Sequence, residues 1–309
     1  MIEVQALTKR YGEKTAVDDL TFSVRPGTVT GFLGPNGAGE STTMRMMLGL
    51  DAPTSGRATV NGRLYADHPA PLHEVGALLD AGAVHTSRSA RAHLLAMAAT
   101  TGIGHTRVDE VIDLVGLHDV ADQRAGGFSL GMSQRLGIAN ALLGDPQTLI
   151  LDEPVNGLDP DGVLWIRTLL RDLAAEGRTI LLSSHLMSEM ALTADHLVVV
   201  GRGRLIRDMS TADFIASASG ESVVVRTPDE QRLRELLLSD VVSLTSTESG
   251  RLEVTGMTSD EIGYRAAAAG VTLLELAPVK ASLEEAFMSL THDAVEYRAP
   301  ASSTERIAA

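Results

Sequence analysis

The chain has 309 residues, 44% of them apolar, enough to bury a large α/β core and a second, smaller one. Its formal net charge of −14 leaves no basic excess to neutralise nucleic-acid phosphates, and the absence of cysteine rules out a disulfide framework. No apolar run approaches the ~18 residues needed to cross a bilayer, and the opening MIEVQAL reads as a strand and not a signal peptide, so any membrane role is expected to be peripheral.

Ile2 to Leu7 alternates as an edge strand. Tyr11 follows in a predicted loop, where its ring has two readings, stacking on an adenine face or packing on the sheet; taken alone, packing is preferred. Thr28 to Leu33 is a buried apolar run, and Ser41 to Leu50 reads as a helix. Between them lies Gly34-Pro35-Asn36-Gly37-Ala38-Gly39-Glu40-Ser41, followed by Thr42. It matches the phosphate-binding loop pattern G-x-x-x-x-G-K-[ST] except that Glu40 stands where the lysine belongs. The backbone N–H groups and the positive end of the helix remain suited to a polyphosphate. The cation that reaches the β and γ phosphates is replaced by a carboxylate. A unit-charge pair at ~4 Å in a dielectric of ~20 is worth about 4 kcal/mol, and reversal turns attraction into repulsion. Rotation of Glu40 toward solvent and screening by Mg²⁺ reduce that figure. Nucleotide turnover is therefore expected to be crippled and binding weakened.

Residues 85–145 read as mostly helical, with Ser89 to Thr100 and Thr106 to Gly116 carrying apolar residues at three-and-four spacing. Phe128 to Ala139, containing Ser129-Leu130-Gly131-Met132-Ser133-Gln134, reads by itself as a capped helix. Thr148 to Leu151 is an apolar strand ending in Asp152-Glu153-Pro154. A phosphate-loop fold places its Mg²⁺ carboxylate there, so Asp152 is expected at the metal, with Glu153 positioned to orient or deprotonate an attacking water. Asn156 to Pro160 forms a turn that includes Asp159, and Ser183-Ser184-His185 follows the apolar strand Thr179 to Leu182. His185 is a candidate hydrogen-bond partner for a γ phosphate, although a lone histidine after a strand is more often a cap or a core residue.

These motifs, in this order, over roughly residues 1 to 215, make the chain similar to the ATP-binding cassette (ABC) ATPases. The resemblance implies an α/β fold, a P-loop NTPase cassette with a mixed sheet and a helical lobe at about 85–145, binding ATP and Mg²⁺. It implies adenine stacking by Tyr11, phosphate contacts from Gly34, Pro35, Asn36, Gly37, Ala38, Gly39, Glu40, Ser41 and Thr42, and Mg²⁺ held by Ser41 and Asp152, with Asp80 as a further candidate. It implies water activation by Glu153, with His185 and Asp159 completing the site. Ser129 and Gly131 would contact the γ phosphate bound by a second ABC subunit, in a homodimer or heterodimer. The sequence departs from the family pattern at Glu40, at Asp80, which stands in a glutamine slot, and at Leu130 and Met132 of the signature. The last three resemble the bacitracin-resistance and daunorubicin types of exporter ATPase. That likeness implies a separate transmembrane permease subunit, docking near residues 80–89, and a place on the cytoplasmic face of the membrane.

Beyond residue 215 the predicted order is strand (Ser222 to Arg226), helix (Glu230 to Leu238), strand (Val241 to Thr245), strand (Leu252 to Thr255), helix (Ser259 to Ala269) and strand (Val271 to Leu276). This split βαβ pattern predicts a small α+β domain over 216–292, connected through Ser210 to Gly220, a stretch rich in Ser, Ala and Gly. Ser282-Leu283-Glu284-Glu285 announces a last helix through a capping box. Residues 293–309 read as a disordered tail. Three functions stay open: the motor subunit of an exporter disabled at Glu40, a pseudo-ATPase that regulates or scaffolds an active partner, and a soluble ABC protein outside transport.

Overall fold

A computed structural model of the chain describes residues 1–218, 222–238, 242–248, 250–279 and 282–291. The tail predicted for 293–309 lies outside the described residues. Two compact units emerge, residues 1–210 and residues 211–290.

The first unit opens with β1 (Ile2–Tyr11), β2 (Lys14–Val24), β3 (Val29–Leu33), α1 (Glu40–Met47) and β4 (Ser55–Val60). A helical turn α2 (Pro71–Glu74) leads into β5 (Val75–Leu78), and three helices follow: α3 (Ala90–Ala99), α4 (His105–Leu114) and α5 (Leu130–Leu142). The chain then runs through β6 (Thr148–Leu151), α6 (Pro160–Ala175), β7 (Thr179–Ser183), α7 (Met187–Thr193), β8 (His196–Gly201) and β9 (Arg204–Ser210). Strands β2-β1-β4 form an antiparallel sheet, and β5-β6-β7-β3-β8-β9 form a second sheet, parallel up to β8 with β9 antiparallel at its edge.

The apolar runs explain the second sheet. Every residue of β3, β6 and β7 is buried, which is the pattern of strands covered on both faces, whereas β2 alternates between buried and partly exposed positions along much of its length. Phe22 of β2 stacks on Phe32 of β3 with ring centroids 5.3 Å apart, joining the two sheets in one core with Met44, Met47, Ile150 and Val198. Because β3, β6 and β7 are parallel neighbours, the loops after each of them emerge at one edge of the sheet, where open α/β folds place ligands. The helical segment is fixed by local signals as well as by its core. Ser89 caps α3 by accepting the Ala92 N–H at 3.1 Å, and α4 buries Val108, Val111 and Ile112.

The second unit contains α8 (Thr211–Ala218), β10 (Ser222–Arg226), α9 (Glu230–Leu237), β11 (Ser243–Glu248), β12 (Arg251–Thr255), α10 (Ser259–Ala268) and β13 (Glu275–Val279), and α11 (Leu283–Thr291) follows. Its strands are ordered β11-β12-β10-β13 with every pair antiparallel, a split βαβ sandwich. Val223, Val225, Leu252 and Val254 of the sheet meet Leu233, Leu237, Ile262 and Ala266 of α9 and α10 in a separate core. Thr258 and Glu261 form a capping box on α10, and Ser282 and Glu285 form the reciprocal pair on α11, at 2.7 and 3.1 Å.

Three sequence expectations are corrected. Tyr11 is the last residue of β1 and not a loop residue, because pairing with β2 continues to Tyr11 and Lys14. The supposed linker Ser210 to Gly220 is largely helix α8, where alanine, phenylalanine and isoleucine outweigh the serine–glycine signal. The final strand begins at Glu275 and not at Val271. Residues 271–274 instead serve as a return segment, in which the Thr272 carbonyl accepts from Thr227 Oγ1 and the Leu274 N–H donates to Arg226 at 2.7 Å. Pro278 is tolerated in β13 because that strand is at the sheet edge.

Candidate active site

The loop after β3 wraps a cleft of about 470 Å³ lined by Asn36 to Thr42, Leu79, Asp152 and Glu153, together with Lys14 and Ala16 of β2. Gly39 is required at its position: its φ is +101°, and a Cβ there would lie 2.5 Å from the Ala16 carbonyl. The loop is thereby pressed onto β2 before α1 begins.

The carboxyl ends of β6 and β7 supply the other polar wall. Ser41 Oγ donates to Asp152 Oδ2 at 2.8 Å, so the hydroxyl and carboxylate expected to hold Mg²⁺ are adjacent. Ser183 Oγ donates to the second oxygen of Asp152 at 2.5 Å and accepts the Glu153 N–H at 3.0 Å, fixing both acids through one buried side chain. Glu153 Oε2 lies 2.9 Å from His185 Nδ1. Glu153 has φ +52°, unusual for a residue with a Cβ, and its carbonyl accepts from Gln134 Nε2 of α5 at 3.0 Å.

Glu40 begins α1 inside the cleft, half-buried. Burial raises its pKa well above the usual glutamate range, the nearby carboxylates of Asp152 and Glu153 push it further, and a hydrogen bond from the Gly34 backbone opposes the rise. Three carboxyl groups therefore face one small volume.

The remaining expected site residues lie outside this cleft. Asp80 accepts the Gly82 N–H at 2.7 Å and lines a neighbouring cavity of about 420 Å³ with Arg45, Tyr65, His93 and Asn140, so the structure does not bring it to Ser41 and Asp152. Tyr11 is half-exposed; its hydroxyl donates to Asp51 at 3.2 Å, and Lys9 Nζ sits 4.9 Å from the ring centroid, covering one face. Ser129 caps α5 by accepting the Met132 N–H at 3.2 Å, and Asp159 caps α6 by accepting the Gly162 N–H at 2.9 Å. Gly131 approaches the turn before α6 closely, since a Cβ would stand 2.8 Å from the Gly157 carbonyl. Among the described residues, no cluster of three or more His, Asp, Glu or Cys is arranged to hold a metal by itself. Sequence reasoning missed Ser183 as the bridge between the two acids, although its place at the end of a buried strand was a signal, and it missed Lys14 in the cleft lining.

A family model described as ABC transporter matches residues 17–156, and one for a domain of unknown function matches residues 221–284. A bacitracin transport ATP-binding protein of Bacillus licheniformis is 42% identical over 212 residues, covering 68% of this chain and 69% of that protein. A Nod factor export ATP-binding protein of Burkholderia lata is 34% identical over 303 residues, 94% of this chain and 96% of its own length. A solved ATP-binding subunit of an ABC transporter superposes with a TM-score of 0.65 at 27% identity, over 70% of this chain and 92% of that one. A dimeric bacterial ABC transporter cassette, at 22% identity and TM-score 0.63 over 68% and 99%, shares the fold.

Proposed function

The chain belongs to the family of ABC transporter ATP-binding proteins, ABC-type ATPases, and on that premise we propose that it is the ATP-binding subunit of an exporter whose turnover is crippled by Glu40. The observation that carries this reading is the hydrogen-bonded set Ser41–Asp152–Ser183 with Glu153–His185, retained around a phosphate cradle that has lost only its cation. The cassette function is assigned to residues 1–215 and an accessory function to 216–292.

Ser41 Oγ and Asp152 Oδ2 are hard oxygen donors at the spacing of shared ligands, so these residues would hold Mg²⁺. When bound, the ion neutralises phosphate charge. The N–H groups of Gly37 to Ser41 bind and orient the phosphates, Glu153 takes a proton from the attacking water, and His185 holds the Glu153 carboxylate in place. Ser129, Gly131 and Asp159 lie away from the cleft of their own chain, which favours a second ABC subunit across which they would complete the partner's site. No described helix is long and apolar enough to cross a membrane. The relatives, ATP-binding proteins of transport and export, favour a substrate path in a separate transmembrane subunit, with this chain on the cytoplasmic face. The names of the relatives favour an antibiotic, peptide or lipid-like substrate.

Glu40 itself favours a second reading, a regulatory subunit that pairs with an active cassette. Mg²⁺-dependent ATP hydrolysis measured for the chain and for Glu40→Lys, each with candidate membrane subunits, separates the two. The exporter reading expects turnover only in Glu40→Lys; equal inactivity in both assigns the chemistry to a partner.

A further inference from the structure

We propose that Lys14 supplies bound polyphosphate with the positive charge that the loop lacks at position 40, an inference that rests on the nucleotide-binding reading above. Lys14 opens β2 and pairs with Tyr11 across the hairpin. Two residues later, the Ala16 carbonyl lies against Gly39 of the loop and against Gly203, at 2.5 and 2.7 Å from where their Cβ atoms would stand. The Gly203 N–H donates to the Ala38 carbonyl at 3.0 Å, and the Asp18 N–H donates to the Gly203 carbonyl at 2.9 Å. The start of β2, the phosphate loop and the turn at Gly203 are thus tied backbone to backbone, and the position of Lys14 relative to the loop is set by a strand.

Charge in the cleft points the same way. Its described lining carries the carboxyl groups of Glu40, Asp152 and Glu153, and Lys14 is the cationic side chain among them. Lysine is rare here, the three being Lys9, Lys14 and Lys280, and one of them lines the cleft of the altered loop. A compact ammonium on a flexible stem can reach the phosphates from the start of β2 without a place in the loop.

The test is calorimetric titration of the full chain with ATP and with AMP, for the native protein, Lys14→Ala, Lys14→Arg, Glu40→Lys and the Glu40→Lys/Lys14→Ala double variant. Lys14→Ala is expected to weaken ATP at least fivefold, to weaken AMP by a smaller factor, and to cost less when lysine is restored at position 40; Lys14→Arg should recover most of the ATP affinity. A loss of ATP affinity below fivefold, an equal loss for AMP, an equal loss in both backgrounds, or no recovery with arginine each overturns the proposal. If the native chain binds no ATP while Glu40→Lys does, the Lys14 proposal falls and the nucleotide-binding reading stands. If neither binds, both fall.

Discussion

On the β6–β7 side of the cleft, each acid is held by a neighbour: Asp152 by Ser41 and Ser183, Glu153 by His185 and through its backbone by Ser183 and Gln134. On the loop side, Glu40 meets burial and two carboxylates, all of which oppose its ionised form. The first wall holds its two acids in place by hydrogen bonds; the second sets a carboxyl beside the loop proposed for phosphates. A catalytic constellation and its electrostatic complement are thus separable parts of one fold, and single substitutions can address them independently.

The sharpest test of that separation is Glu153→Gln in the Glu40→Lys background. Loss of a general base typically costs ~10²–10⁴-fold, so phosphate release should fall by that order while ATP affinity by calorimetry changes little; a parallel loss of affinity would mean the two walls are not independent. Leu252→Ala, in the core of the second unit, is expected to destabilise that unit by about 3 kcal/mol, read by denaturant unfolding, without altering ATP affinity. A shift in nucleotide binding would extend the comparison to the accessory unit. Ser183→Ala removes a buried hydroxyl bonded to a carboxylate, worth about 2 kcal/mol. Roughly tenfold slower turnover in the Glu40→Lys background is expected, and unchanged turnover would leave Ser41 alone sufficient to place Asp152.

The smallest expected effect is pH-dependent. A carboxyl whose pKa rises on folding binds its proton more tightly in the folded chain, so its contribution to stability is complete below the ordinary glutamate range and is lost as pH climbs through the raised value. Glu40→Gln does not titrate. Its melting temperature relative to the native chain, without Mg²⁺ or nucleotide, should therefore rise between pH 4 and pH 7, and a difference independent of pH would show that Glu40 sits in a solvated place.

Much of the cassette was legible because buried parallel strands are written as continuous apolar runs and because the site residues follow those strands within a few positions: Ser41 after β3, Asp152 after β6, His185 after β7. Where a residue's role depended on a neighbour distant in sequence, the sequence was silent. Ser183 bonds Asp152 across 31 positions, and Lys14 reaches a cleft built by residues 36–42 and 152–153. Asp80 was suggested as a metal ligand by its slot alone; in the fold a local turn with Gly82 holds its carboxylate, and it lines the adjacent cavity. The second unit's strand order followed from alternation, while the shifted β13 did not, because Val271 is buried, as a strand residue would be, yet belongs to the return segment.

The bond from Gln134 to the Glu153 carbonyl has a mechanical meaning. Gln134 belongs to α5, whose first residues carry the signature, and it grips the main chain of the proposed base at its left-handed residue. A tilt of α5 must either break that bond or twist the backbone that aims the carboxylate. The helix and the proposed base form one linkage, so an event at the far end of α5 would arrive at the Glu153 carboxylate as a change of angle.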